Sequence, residues 1–131
     1  MAKMREMQNA YTVATWSRVL TYLSVEDAPT ILARCKGAIV PDNVKPTIKR
    51  KFAGFNSTFN EVYRLQRNFS VPDADLRGQL RAANMDLIIP KYRIFLKTYS
   101  DLEFSTKPGK YIQYNVSTLE NALSKFYDET A

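Results

Sequence analysis

The sequence predicts an all-α fold, an antiparallel bundle of about four to five helices. Three observations predict it. Apolar residues recur at spacings of three and four along several segments, the signature of one helix face. No alternation of apolar and polar residues runs long enough to make a strand. Helix punctuation falls between the segments, at Pro46, at Ser70, Pro72 and Asp73, and at Ser117-Thr118-Leu119-Glu120. With 131 residues, 45% of them hydrophobic, the chain is long enough for a single helical domain, 1–131, with a real core.

The first segment runs from about Ala2 to Leu23. Val13, Trp16, Leu20 and Leu23 form its apolar stripe, and Met4, Met7 and Tyr11 extend it backward. No capping residue precedes Met4, so this helix reads as cut from something longer. Residues 29–41 are a packed connector in which Ile31, Leu32 and Cys35 can form a short helix, ended by Gly37 and Pro41. The second long helix is expected over about Val44 to Phe69, with Pro46 in its first turn, where no backbone donor is needed. Ile48, Phe52, Phe55, Phe59, Val62, Gln66 and Phe69 make its seam, and Gly54 suits a close helix approach. The third helix runs to about Tyr99. Leu76, Leu80, Ala83 and Leu87 are its first buried seam; Ile88, Tyr92, Phe95, Tyr99 and Leu102 are a second, offset by one residue. Pro90 sits at the offset and predicts a kink, or alternatively the start of a separate helix. After a loop, Ser117 to Glu120 reads as a capping box opening the last helix, which buries Leu119, Ala122, Leu123, Phe126 and Tyr127.

Composition removes most chemistries. There is no histidine and a single cysteine, Cys35, so imidazole bases, His ligands, paired-Cys metal sites and an intrachain disulfide are excluded. The four glycines are too dispersed for a phosphate-cradling loop. Close carboxylates at Asp73/Asp75 and Asp101/Glu103 fall at helix ends and read as caps. No catalytic residue, metal or cofactor is expected. No secretory signal or membrane span is evident, so the three glycosylation sequons, at Asn56, Asn68 and Asn115, read as chance in a cytosolic chain.

Charge is more informative. The net charge is +6, from 19 basic and 13 acidic residues. It attracts phospholipid, nucleic acid or acidic protein faces. The excess concentrates between positions 45 and 110, with 13 basic and 6 acidic residues. Lys45, Lys49, Arg50 and Lys51 cluster at the start of the second helix, and Lys91, Arg93 and Lys97 lie on the third. Lys107 and Lys110 flank Pro108-Gly109, just before Tyr111 and Tyr114. Basic heads beside amphipathic rings suit a surface that meets anions at a water–apolar boundary. Each contributes about 1 kcal/mol near an anionic membrane, so four to six of them give weak binding that needs several copies or a polyphosphorylated head group.

KFAGFNSTFNEVYRLQRNFSVPDADLR, IIPKYRIFLKTY, TKPGKYIQY and, upstream, WSRVLTYL form an ordered set. Together they resemble the C-terminal end of the seventy-kilodalton exocyst subunit family. The resemblance implies a rod of stacked helical bundles, with this chain as its C-terminal tip. It implies a non-enzymatic part in vesicle tethering during exocytosis, in the cytoplasm and peripherally at the inner face of the plasma membrane. Implied partners are other exocyst subunits, inner-leaflet phosphatidylinositol 4,5-bisphosphate, Rho-type GTPases and an actin-nucleating complex. Lys110 matches a lipid-contacting lysine of the family, while Gln113 stands where many members carry a second. Lys107 is expected to offset that missing charge. Lys107, Lys110, Lys49, Arg50 and Lys51 are thus the expected lipid-binding residues, and Thr106, Lys107 and Pro108 the expected partner-binding ones. A purely structural interaction module is the main alternative. A basic nucleic-acid-binding domain is the weaker one, because the aromatics fall on core stripes and no nucleic-acid-reading motif is present.

Overall fold

A computed structural model describes residues 13–66 and 73–126. Among these residues the chain is all-helical, with five α-helices and no strand. Helix α1 occupies the described residues 13–22; α2 is Ala28–Ala33, α3 Lys45–Gln66, α4 Ala74–Tyr99 and α5 Val116–Ser124. A 3-10 turn, Pro108–Lys110, lies between α4 and α5.

Local chemistry sets the helix ends. Pro29 and Pro46 sit in the first turns of α2 and α3, where the missing donor does no harm. Asp73 caps α4, its side chain accepting from the amides of Asp75 at 2.9 Å and Leu76 at 3.2 Å. The connector after α2 turns at Gly37, whose φ of 58° is the left-handed region. That turn lets the Lys36 and Ile39 backbones exchange two hydrogen bonds. The Glu103 amide then donates to the Ala38 carbonyl at 2.7 Å, tying the connector to the segment that leaves α4.

The core is aromatic. Ile48, Phe52, Phe55 and Phe59 of α3 are fully buried against Ile88, Tyr92, Phe95 and Tyr99 of α4. Phe52 meets Phe95 and Phe55 meets Tyr92, each with ring centroids 4.8 Å apart, so α3 and α4 run antiparallel. Trp16 brings in α1 and the turn that follows α5, lying 5.7 Å from Phe59 and 5.5 Å from Phe126. Such pairs add about 0.5–1.5 kcal/mol each beyond their buried area. Antiparallel α4 and α5 are tied at both ends. Arg93 lies 3.5 Å from Glu120, and the Arg81 guanidinium donates to the Phe126 carbonyl at 2.6 Å.

Several expectations change in detail. Val13 is 49% exposed, and Val19 takes its place in the core. Leu76, Leu80, Ala83 and Leu87 are only half-buried; the buried residue there is Asn84, which accepts from the Trp16 indole at 2.9 Å. A buried indole donor needs an acceptor, and that need sets the inward face of this stretch. Cys35 falls beyond the end of α2. Helix α4 runs unbroken through Pro90, so no separate helix starts there. Pro90 and Asp86, whose carbonyl loses its partner, are both exposed, and water can satisfy that carbonyl. The cap of α5 is Asn115 rather than Ser117. Its side chain accepts from the Thr118 amide at 2.7 Å, while the Thr118 hydroxyl accepts from the Asn115 amide at 2.9 Å. Asn caps at least as well as Ser, and Glu120 is drawn to Arg93 instead. Expected core positions Met4, Met7, Tyr11, Phe69 and Tyr127, and the punctuation at Ser70 and Pro72, lie outside the described residues.

Candidate anion-binding site

The loop from Ser105 to Tyr114 is built by short-range hydrogen bonds. The Ser105 hydroxyl accepts from the Lys107 amide at 3.0 Å. Pro108 starts the 3-10 turn, and its carbonyl accepts from Tyr111 at 3.0 Å and Ile112 at 2.8 Å. The Gln113 side-chain amide donates to the Lys110 carbonyl at 3.1 Å and so braces the turn.

A single stripe of α3 receives this loop: Lys49, Phe52, Asn56 and Asn60, spaced by three and four residues. Phe52 stacks on Phe104 at 5.2 Å, and Phe104 meets the edge of Tyr111 at 5.9 Å. The Asn56 amide donates to the Tyr111 carbonyl at 2.7 Å. The Tyr114 hydroxyl donates to Asn60 at 2.6 Å, and the buried Tyr92 hydroxyl donates to the Tyr114 carbonyl at 2.6 Å. Burial raises the Tyr92 hydroxyl well above its ordinary value, with Tyr114 adding to the effect. Burial and then Tyr63 raise that of Tyr114. Both phenols therefore stay protonated donors through the neutral range.

The basic residues divide into two groups on this frame. Lys49 from α3 and Lys110 from the loop each place an ammonium 5.8 Å from the centroid of the same ring, Tyr111. Lys107 and Arg50 are exposed. Among the described residues none of these four has a carboxylate within ion-pair distance. Lys51 is different. It pairs with Asp27 at 3.0 Å, lies over the Tyr99 ring and has a side chain only 15% exposed. Lys45 pairs with Asp42 at 3.0 Å. Thr106 and Pro108 are exposed beside Lys107. The first turn of α3 has no acidic residue, so the positive end of its dipole adds to the field of its lysines.

Charge counting in the sequence found the lysines but not what organises them. Tyr111 as their common centre, and Asn56 and Asn60 as the ties, emerge only from the packing of α3 on the loop. The available signal was periodic: two asparagines on the face adjoining a phenylalanine stripe. Chemically, two ammonium groups beside one aromatic ring, with no carboxylate partner among the described residues, can each make charge-assisted hydrogen bonds to anionic oxygens. Among the described residues no group of three or more His, Cys, Asp or Glu could hold a metal, and no helix is long and apolar enough to cross a membrane.

The family model for the C-terminal part of the Exo70 exocyst complex protein matches residues 1–125. The chain is 33% identical over 132 residues to exocyst complex component 7 of Drosophila melanogaster, covering 100% of this chain and 18% of that protein. It is 26% identical over 117 residues to the Homo sapiens protein of the same name, covering 89% of this chain and 16% of the relative. With exocyst complex component EXO70A3 of Arabidopsis thaliana it shares 33% identity over 119 residues, or 89% of this chain and 19% of the relative. It thus spans less than a fifth of the length of these relatives.

Proposed function

Because this chain belongs to the Exo70 family of exocyst complex subunits, we propose that it is a non-enzymatic membrane-contacting part of that complex. It helps tether secretory vesicles by binding phosphatidylinositol 4,5-bisphosphate on the inner leaflet of the plasma membrane, while other exocyst subunits hold it in place. The observation that carries this reading is the meeting of Lys49 and Lys110 on Tyr111, each 5.8 Å from the ring centroid. Lys107 and Arg50 extend the patch, and Lys51 takes part only by opening its pair with Asp27. Thr106, Lys107 and Pro108, exposed on one turn, form a contact point for an actin-nucleating complex. A Rho-type GTPase is a further partner of the same cytoplasmic, peripheral module.

The energetics favour a contact that works by number. At about 1 kcal/mol per basic residue, this patch alone supplies weak affinity, which copies and partners in one assembly multiply. The test is co-sedimentation with vesicles containing phosphatidylinositol 4,5-bisphosphate, against vesicles matched in charge with phosphatidylserine. Replacing Lys107 and Lys110 with Glu should remove most binding and leave the helical circular dichroism and melting unchanged. Unaltered sedimentation of that variant would reject the loop as the lipid site. Retained binding to another exocyst subunit with no lipid affinity would favour a purely structural module.

A further inference from the structure

Beside the aromatic contacts of Phe52, Phe104 and Tyr111, one hydrogen bond ties α3 to the backbone of Tyr111 itself. Asn56 lies two helical turns beyond Lys49 on the same stripe, and its amide donates to the Tyr111 carbonyl at 2.7 Å. Tyr111 is the ring that Lys49 and Lys110 share. Asn56 is 5% exposed, and its Oδ1 is buried with no hydrogen-bond partner among the described residues. A half-satisfied buried amide is a liability to a helix seam, where an apolar side chain of similar size would pack between Phe52 and Phe59 without that penalty. What the amide supplies, and an apolar side chain could not, is the donor to the loop.

We infer that Asn56 is the positioning residue of the basic patch: its hydrogen bond to the Tyr111 carbonyl sets where the loop lysine Lys110 stands relative to Lys49 of α3. The inference rests on the membrane-binding reading above. Lys49 and Lys110 belong to different elements, so their separation is only as fixed as the joint between those elements. The Tyr92 and Tyr114 hydroxyls hold the far end of the loop and do not reach the turn that carries Lys110. With the Asn56 latch closed, the two ammonium groups act on a ligand together. With it open they remain two positive charges, equal in number but not in geometry. A surface of scattered phosphatidylserine responds to the number. A head group with neighbouring phosphates responds to the geometry.

The test uses the full chain and the same two vesicle types, with soluble inositol trisphosphate as competitor. In the unmutated background, Lys49→Gln and Lys110→Gln should be coupled toward phosphatidylinositol 4,5-bisphosphate vesicles: either change alone loses most of what both lose together. Asn56→Ser should reduce that binding about tenfold, abolish the coupling, and leave phosphatidylserine binding unchanged. The competitor should displace the chain from the first vesicles and not from the second. Additive lysine effects in the unmutated chain overturn the inference, and that arm stands even where Asn56→Ser fails to fold. An equal fall on both vesicle types by an Asn56→Ser chain that keeps its helical circular dichroism and melting also overturns it; where those are lost, the lysine coupling in the unmutated chain decides. Lack of displacement argues against a compact phosphate site and overturns it too. Absence of all vesicle binding by the unmutated chain overturns the membrane reading itself, and this inference with it.

Discussion

At Gly54 a single missing methyl group decides how closely two helices meet. A Cβ built there would fall within the Tyr22 ring, so α1 and α3 approach at a distance that only glycine permits. Alanine gains about 1 kcal/mol of helix propensity but meets an overpacking cost of about 1–3 kcal/mol. Gly54→Ala should therefore lower the urea midpoint, and adding Tyr22→Leu should recover part of the loss; a raised midpoint in the single variant would refute the contact. Tyr99 makes a second prediction at this scale. Its buried hydroxyl, with the Asp27 carboxylate beside it, is pushed up to about 12. An unfolded chain ionises tyrosine at about 10. The folded protein thus keeps a proton that the unfolded one releases. The stability tied to that proton is fully present below about pH 10 and is lost as pH rises toward about 12. Phenolate absorbance should show some of the eight tyrosines ionising only as the helical signal collapses. Ionisation of all eight near pH 10 with intact helices would contradict the burial of Tyr92 and Tyr99.

Among the elements, α3 was the most legible in the sequence, because its phenylalanines keep a strict helical period and each lies on the core side. The second half of α4 was legible for the same reason. Its first half was not: leucines at correct spacing there are only half-buried, and the inward position goes to Asn84, chosen by a hydrogen bond to Trp16 across 68 residues. Long-range polar partnership leaves no periodic trace. The start of α5 was misplaced because Asn115 and Ser117 offer competing caps, and only the bonds made to Thr118 decide between them. The lysines of the candidate site were visible as charge, but their common ring was not, since Lys49 and Lys110 meet only after α3 has received the loop. The cap assignment makes a direct prediction. Asn115→Ala should cost about 1 kcal/mol in thermal or urea unfolding, whereas Ser117→Ala should stay within about 0.5 kcal/mol of the parent. The reverse order would restore the cap to Ser117.

For the molecule as a whole, the uneven spread of charge matters more than its sum. The net +6 includes residues already neutralised in pairs, such as Lys51 with Asp27, Lys45 with Asp42 and Arg93 with Glu120. Lys49 and Lys110, beside Tyr111, are not neutralised in this way among the described residues. Screening should therefore act mainly on encounters with anionic surfaces and little on the fold. Raising salt from about 0.05 M to about 0.5 M should remove most vesicle binding while shifting the unfolding midpoint only slightly. A midpoint that falls in step with binding would mean that the charges hold the fold instead. The hydrogen bond from the Glu103 amide to the Ala38 carbonyl has a consequence for how the chain reaches this state. It joins two points that the whole of α3 and α4 separates, and closing so large a loop loses entropy that no local contact returns. The bond can form cheaply only after those helices have docked and brought its ends together. It is a clasp fastened late in folding, and hydrogen exchange at Glu103 reports whether the bundle beneath it is whole.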